Sequence, residues 1–199
     1  MSVAASRIVE TVRQRAQSVQ NPRGSYNTLH VRRHDFLDFY KLNSFTLKDT
    51  VAEMVSVGSR TSTVYVATDE TDRTIFKPLE DVYDVCYLDD FNHLLRGVNP
   101  NFGGIIEQIV LSRGRHFWGT FLSTFSSYIM RLRGYYYSLT SEEEDVFEGK
   151  LKRSYYFPKI RRDEMKLYRA VEQPFFEREY PIAWRNIDKG IGEIAWDGW

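Results

Sequence analysis

Hydrophobic positions along the first two thirds of the chain alternate between helical and strand-like spacing. Apolar residues from Val3 to Val19 recur with the helical period, and short runs rich in β-branched residues, such as 63–67, are typical of strands. The pattern predicts helices at 3–19, 46–57, 71–83, 105–113 and 123–133, and strands at 26–31, 63–67, 84–88 and 116–119. Because strands and helices alternate, we expect an α/β domain whose parallel sheet carries helices on both faces.

The pattern changes after Gly134. An acidic run at 141–145 and a basic stretch at 150–162 precede an aromatic-rich and proline-containing tail, and only 163–172 has the character of a helix. The tail carries Trp184, Trp196 and Trp199 and is too apolar to stay in solvent. We therefore predict one domain at 1–135 and an irregular extension at 136–199 that packs on this domain or on a further one.

Composition narrows the class of protein. A length of 199 residues suits one domain, and 27 acidic against 27 basic residues give no basic excess of the kind nucleic-acid binding favours. No run approaches the roughly 18 apolar residues that span a bilayer, and the charged N-terminal helix is not typical of a signal peptide. The single cysteine, Cys86, lies in an apolar strand and is expected to be a buried thiol.

The first candidate for chemistry is a cluster of charged residues after the strand at 26–31. Arg32 offers a planar, permanently charged guanidinium that suits phosphate oxygens. The cluster is also compatible with a solvated set of charges, and His30 with a core histidine. A metal set of His30, His34 and Asp35 is disfavoured, because the two neighbouring arginines repel a cation.

A second candidate follows the strand at 116–119. Ser123, Thr124, Phe125 and Ser126 open a predicted helix, where hydroxyls and unpaired backbone N–H groups favour an anion. One hydroxyl is explained equally well as an N-cap. Gly119 is expected to allow a ligand to approach the backbone closely.

A third polar segment, Thr68-Asp69-Glu70, follows the strand at 63–67. Its carboxylates suit hydrogen bonds from a ribose or a guanine, or alternatively the capping of the next helix. Right-handed crossovers bring all these strand ends to one sheet edge, where α/β proteins bind ligands. Since the chain has no Asp-x-Asp triplet, a departing diphosphate here would depend on fixed positive groups rather than on a metal.

Three segments together resemble the GDP-fucose protein O-fucosyltransferase family. Residues 30–35 (HVRRHD) are similar to its H-x-R-x-x-D segment, and residues 64–70 (VYVATDE) to its Y-x-A-T-D strand end. Residues 113–126 (RGRHFWGTFLSTFS) are similar to its final donor-site motif. The segments occur in the family's order, and the resemblance covers roughly residues 26 to 135.

The resemblance implies the carboxy-terminal, Rossmann-like, GDP-fucose-binding half of a GT-B glycosyltransferase. It implies metal-independent, inverting transfer of fucose, without a cofactor, to a protein Ser/Thr or a sugar hydroxyl, in the endoplasmic reticulum or Golgi. Arg32 would be catalytic and contact the β-phosphate, helped by His30, and Asp69 would lie near the nucleoside. The donor-binding residues that it implies are His30, Arg32, Asp69, Ser123, Thr124 and Phe125.

The sequence also departs from the family pattern. His34 stands where many relatives have glycine, and Arg115 where some animal members have aspartate. Nothing in the chain matches the family's amino-terminal half, so we expect donor binding but poor transfer by this chain alone. The alternatives are a transferase that uses another GDP-sugar and a non-catalytic or truncated GDP-sugar-binding module.

Overall fold

The computed structural model describes residues 2–34, 47–57, 61–120, 123–139 and 154–157, with side chains for all of these except 134–139 and 156–157. The helices are α1 (Ser2–Ala16), α2 (Leu47–Ser56), α3 (Lys77–Glu80), α4 (Gly103–Ser112) and α5 (Thr124–Leu139). The strands are β1 (Asn27–Val31), β2 (Thr63–Thr68), β3 (Asp84–Cys86), β4 (Phe117–Thr120) and β5 (Ser154–Phe157). Short 3-10 helices cover Arg73–Phe76, Leu88–Leu94 and Pro100–Phe102.

The strands form one sheet in the order β3-β2-β1-β4-β5, and every neighbouring pair is parallel. His30 in β1 lies beside Ala67 of β2 on one side and Gly119 of β4 on the other. The chain builds outward from β1 to β3 and then returns to place β4 on the opposite side of β1. This is the Rossmann-like order, in which the strand order reverses between β1 and β4. The predicted parallel α/β sheet is confirmed.

Helices cover both faces of the sheet, because alternate strand residues are apolar on both sides. On one face, α1, α4 and α5 pack around Tyr65 and Phe117; on the other, α2 and α3 pack around Leu29 and Trp118. Side chains of β1 therefore point alternately to the two cores. His30 belongs to the α5 face, which decides its partners below.

The predicted helix at 71–83 is replaced by two short turns, the 3-10 helix Arg73–Phe76 and α3. Asp72 caps the first turn, accepting hydrogen bonds from the amide and the hydroxyl of Thr74, both through Oδ1. Pro78 lies in the first turn of α3, where its missing N–H is tolerated. The predicted helix is therefore confirmed only over 73–80, where a 3-10 turn leads directly into α3.

The fifth strand was not predicted. Ser154–Phe157 lies within the segment assigned to the extension, yet it pairs with β4 along its whole length. Tyr155 stacks on Trp118 with ring centroids 5.2 Å apart. The buried guanidinium of Arg133 donates to the Ser154 hydroxyl at 2.9 Å and thereby joins α5 to β5.

Several expectations fall on residues outside the described ranges. These are Asp35 of the metal set and of the H-x-R-x-x-D resemblance, the helix at 163–172, and the packing of the tail with Trp184, Trp196 and Trp199. Within the described ranges, none of the helices combines the length and apolar character needed to cross a membrane. Cys86 is buried as expected, and burial raises the pKa of its thiol to about 12.

Candidate functional site

The candidate residues gather at the carboxyl ends of β1, β2 and β4. β1 ends at Val31 immediately before Arg32, β2 ends at Thr68 immediately before Asp69, and β4 ends at Thr120 shortly before α5. The strand order reverses between β1 and β4, and a crevice at such a point is where open α/β sheets bind ligands. Local sequence and topology thus bring the three polar segments to one edge.

His30 joins the end of β1 to the first turn of α5. Its Nδ1 atom lies 2.7 Å from the hydroxyl of Ser126, and its ring stacks on Phe125 with centroids 4.5 Å apart. Both His30 and Ser126 are buried. The imidazole is thus held by the Ser126 hydroxyl and by the ring of Phe125. These contacts agree with the interpretation of His30 as a core histidine.

The imidazole of His30 is neutral in this environment. Burial, which removes water from the ring, and the positive charge of Arg32 together lower the pKa of His30 to about 3. A neutral imidazole has one donor and one acceptor nitrogen. At ordinary pH, the side chain of His30 therefore carries no positive charge.

Arg32 forms an ion pair with Asp69. Its Nε atom lies 3.2 Å from Oδ2 of Asp69, and its side chain is 40% exposed. The only cation among the predicted donor-site residues is thus accessible from solvent and already oriented by a carboxylate.

The next residue, Arg33, forms a second ion pair, with Glu70. Its Nε donates to Oε2 of Glu70 at 2.9 Å, and its backbone N–H donates to Oδ1 of Asp69 at 2.8 Å. The Asp72 amide and Arg33 together lower the pKa of Glu70. Asp69 therefore contacts both arginines, and these contacts differ from the cap that was the alternative for this segment.

Ser123 and Thr124 begin α5. The carbonyl of Ser123 accepts the first helical hydrogen bond, from the Ser127 amide at 3.0 Å, so Ser123 occupies the N-cap position. Ser123 is buried, whereas Thr124 is exposed. The first-turn N–H groups of a helix of this length carry partial positive charge and favour an anion. The predicted helix start is confirmed.

Gly119 has a different neighbour from the one predicted. A Cβ atom placed on it would lie 2.8 Å from the Cβ and from the hydroxyl of Ser126, and 2.8 Å from the ring of Phe117. The expectation that Gly119 makes room for a ligand is wrong. Its missing side chain allows α5 to approach β4, and this close packing brings Ser126 to His30.

Two residues near this edge were missed by the sequence analysis. Thr120, the last residue of β4, accepts a hydrogen bond from the Arg32 amide at 2.9 Å. Glu107 lies half-buried on the apolar helix α4, where burial and the nearby Asp89 raise its pKa to about 7 and Arg73 opposes the shift. Glu107 could have been noticed in the sequence, because it is the single carboxylate in the apolar segment that forms α4.

Within the ranges that the structure describes, no group of three or more His, Cys, Asp or Glu side chains is arranged to hold a metal ion. Asp35, the third member of the disfavoured metal set, lies outside those ranges.

A parallel five-stranded sheet of this order, with helices on both faces, defines an α/β domain of the Rossmann-like class. The model of the GDP-fucose protein O-fucosyltransferase family matches residues 2–136, which is more than half of the chain. The chain belongs to this family, whose members are fucosyltransferases, and the resemblance found in the sequence is confirmed. A search of curated proteins returned no match.

Proposed function

We propose that this chain is the donor-binding half of a fucosyltransferase and binds GDP-fucose at the carboxyl ends of β1 and β4. In this proposal Arg32 contacts the β-phosphate and the oxygen that departs from fucose, and Ser123, Thr124 and Phe125 at the start of α5 hold the diphosphate. His30 supports the same site with a neutral imidazole.

The observation that carries this proposal is the pairing of two anion-favouring groups at one point of the sheet. The exposed guanidinium of Arg32 follows β1, the N-terminus of α5 follows β4, and the contact between His30 and Ser126 connects the two elements. A diphosphate carries negative charge on several oxygens. An arginine guanidinium and a helix N-terminus can therefore bind different oxygens of the same diphosphate.

The reaction needs stabilisation of a leaving group. The acceptor oxygen forms a bond to the anomeric carbon of fucose while the bond from that carbon to the β-phosphate oxygen breaks, with inversion. Negative charge then develops on GDP, and fixed positive groups stabilise it. We propose that Arg32 and the start of α5 supply this charge in place of a metal.

The acceptor side of the reaction is also part of the proposal. In a GT-B arrangement a second domain faces this sheet edge and presents a protein Ser/Thr or a sugar hydroxyl to the donor, in the lumen of the endoplasmic reticulum or Golgi. Such a domain would explain why a donor half transfers little fucose without it, since orientation of two substrates supplies a large part of catalysis.

Calorimetric titration of the purified chain tests the proposal. We expect saturable binding of GDP-fucose that persists in a chelator, is tighter than that of GDP-mannose, and is weakened about 30-fold by Arg32→Ala. Arg7→Ala, which removes an exposed arginine of α1, is the matched control and should bind as the native chain does. Equal binding of both GDP-sugars would favour another donor, and a folded chain that binds neither would refute donor binding.

A transfer assay separates catalysis from binding. Fucosyl transfer by the chain together with an acceptor-binding half of the family, but not by the Arg32→Ala variant, is the expected result. Binding of GDP-fucose without transfer under these conditions would support the non-catalytic module instead.

A further inference from the structure

Arg32 is held from both neighbouring strands. The hydroxyl of Thr120 accepts a hydrogen bond from the Arg32 amide at 2.9 Å and donates one to the His30 carbonyl at 3.0 Å. On the other side, Asp69 pairs with the Arg32 guanidinium at 3.2 Å and accepts the Arg33 amide at 2.8 Å. One residue fixes the main chain at the end of β1, and the other fixes the side chain.

Burial indicates how Thr120 acts. Its relative exposure is 2%, and its hydroxyl is occupied by two contacts to β1, so its connection to a ligand runs through the segment that it holds. The side chain of Asp69 is 22% exposed. Its Oδ1 atom accepts a hydrogen bond from the Arg33 amide, and its Oδ2 atom lies beside the Arg32 guanidinium as an ion pair without a hydrogen bond. The side chains of Thr120 and Asp69 thus contact the segment that follows β1 and are not directed toward a nucleoside.

We propose that Thr120 and Asp69 are positioning residues that orient Arg32 before the donor binds. This inference rests on the proposed binding of a diphosphate by Arg32. An arginine side chain loses considerable rotamer freedom when it is fixed, and a guanidinium fixed in advance loses less of it on binding. Asp69 thus acts through Arg32 rather than through contact with the nucleoside.

A double-mutant cycle with GDP as the calorimetric ligand tests this assignment. We expect Thr120→Val to weaken GDP binding roughly 5-fold and Asp69→Asn roughly 10-fold, as the loss of one neutral and one charged contact predicts. In the Arg32→Ala background both substitutions should leave the remaining affinity unchanged, because nothing is left to orient. Thr120→Ser, which retains the hydroxyl, should bind as the native chain does.

A matched control separates positioning from loss of stability. Thr28 is also a buried threonine of the same sheet, and its hydroxyl donates to Leu111 and His116 carbonyls rather than to the arginine segment. Thr28→Val should lower the free energy of unfolding as Thr120→Val does, yet leave GDP affinity intact. Glu70→Gln removes the carboxylate that pairs with Arg33 and should likewise preserve affinity.

The outcomes distinguish this inference from the proposed function. If the native chain binds no GDP, donor binding itself is refuted. If Arg32→Ala weakens binding but Thr120→Val and Asp69→Asn do not, only the positioning role fails. Losses of equal size with and without Arg32 would also overturn it and would make Asp69 a direct ligand contact.

Discussion

The Nδ1 atom of His30 lies 2.7 Å from the Ser126 hydroxyl, and this contact joins β1 to the first turn of α5 together with the stacking of the His30 ring on Phe125. His30 comes from β1 and Ser126 from the first turn of α5, and the two residues are 96 positions apart in the chain. Both side chains are excluded from solvent, so neither can replace the other with water. The relative placement of Arg32 and the start of α5 depends on this link.

Removal of the link should cost stability. In Ser126→Ala the buried imidazole loses its hydrogen-bond partner, so we expect the free energy of unfolding to fall by about 1–3 kcal/mol in urea titrations. Ser127→Ala is the control, because the Ser127 hydroxyl donates only to a carbonyl that already accepts the Ser127 amide. Its loss should stay below about 1 kcal/mol. Equal losses in the two variants would contradict a special role for the His30 contact.

The depressed pKa of His30 predicts how stability depends on acidity. The folded pKa of about 3 lies below the ordinary value of 6.5, so the folded state resists protonation. The contribution of His30 to the free energy of unfolding is complete above pH 6.5 and is lost as pH falls toward 3. The loss reaches roughly 3 kcal/mol at pH 4.5. In NMR titrations its ring signals should not move between pH 5 and 8. Titration of the ring near pH 6.5 would show that it is not buried.

Glu107 should act in the opposite direction. Its folded pKa of about 7 exceeds the ordinary value of 4.5, so its contribution is complete below pH 4.5 and is lost as pH rises through 7. Glu107→Gln should therefore raise the free energy of unfolding by about 3 kcal/mol at pH 8 and change it little at pH 4.5.

An exposed carboxylate provides the comparison for Glu107. Glu10→Gln on α1 should change stability by less than about 0.5 kcal/mol at either pH. A gain from Glu107→Gln that is equal at pH 4.5 and pH 8 would mean that ionisation of Glu107 is not its source. Because His30 and Glu107 oppose each other between pH 4.5 and 6.5, only the single variants reveal both effects.

The central part of the fold could be predicted because its signals are local. β1 to β4 are short apolar runs bounded by polar residues, and the helices between them keep a regular spacing. β5 could not be predicted, since Ser154–Phe157 lies within a basic stretch and pairs with β4, a strand distant in the sequence. Arg133 is a similar case. An arginine in a helix is expected at the surface, yet this one is buried by donating to the carbonyls of Ser112, Gly114 and Arg115.

In the candidate site, too, the features set by neighbouring residues in the sequence could be predicted, and those set by the fold could not. Arg32 and the start of α5 could be identified from the residues around them, and so could their place at the sheet edge. Their partners could not, because the contacts of Arg32 with Asp69 and Thr120 depend on which strands flank β1. The role expected for Gly119 was wrong for this reason: a pattern shows that a side chain is absent but not which neighbour occupies the space.

The position of Gly119 gives the last prediction. In Gly119→Ala the new methyl group would lie 2.8 Å from both the Cβ and the hydroxyl of Ser126, and from the ring of Phe117, so α5 must move away from β4. We expect the free energy of unfolding to fall by about 1–3 kcal/mol, as in other overpacked cores, with weaker GDP-fucose binding because His30 and Ser126 separate. Gly103→Ala is the matched control, since its methyl group would meet only Leu88 at an ordinary 3.6 Å. Gly103→Ala should retain native stability and binding. Native stability in Gly119→Ala, measured by thermal and urea unfolding, would show that α5 does not pack against this glycine.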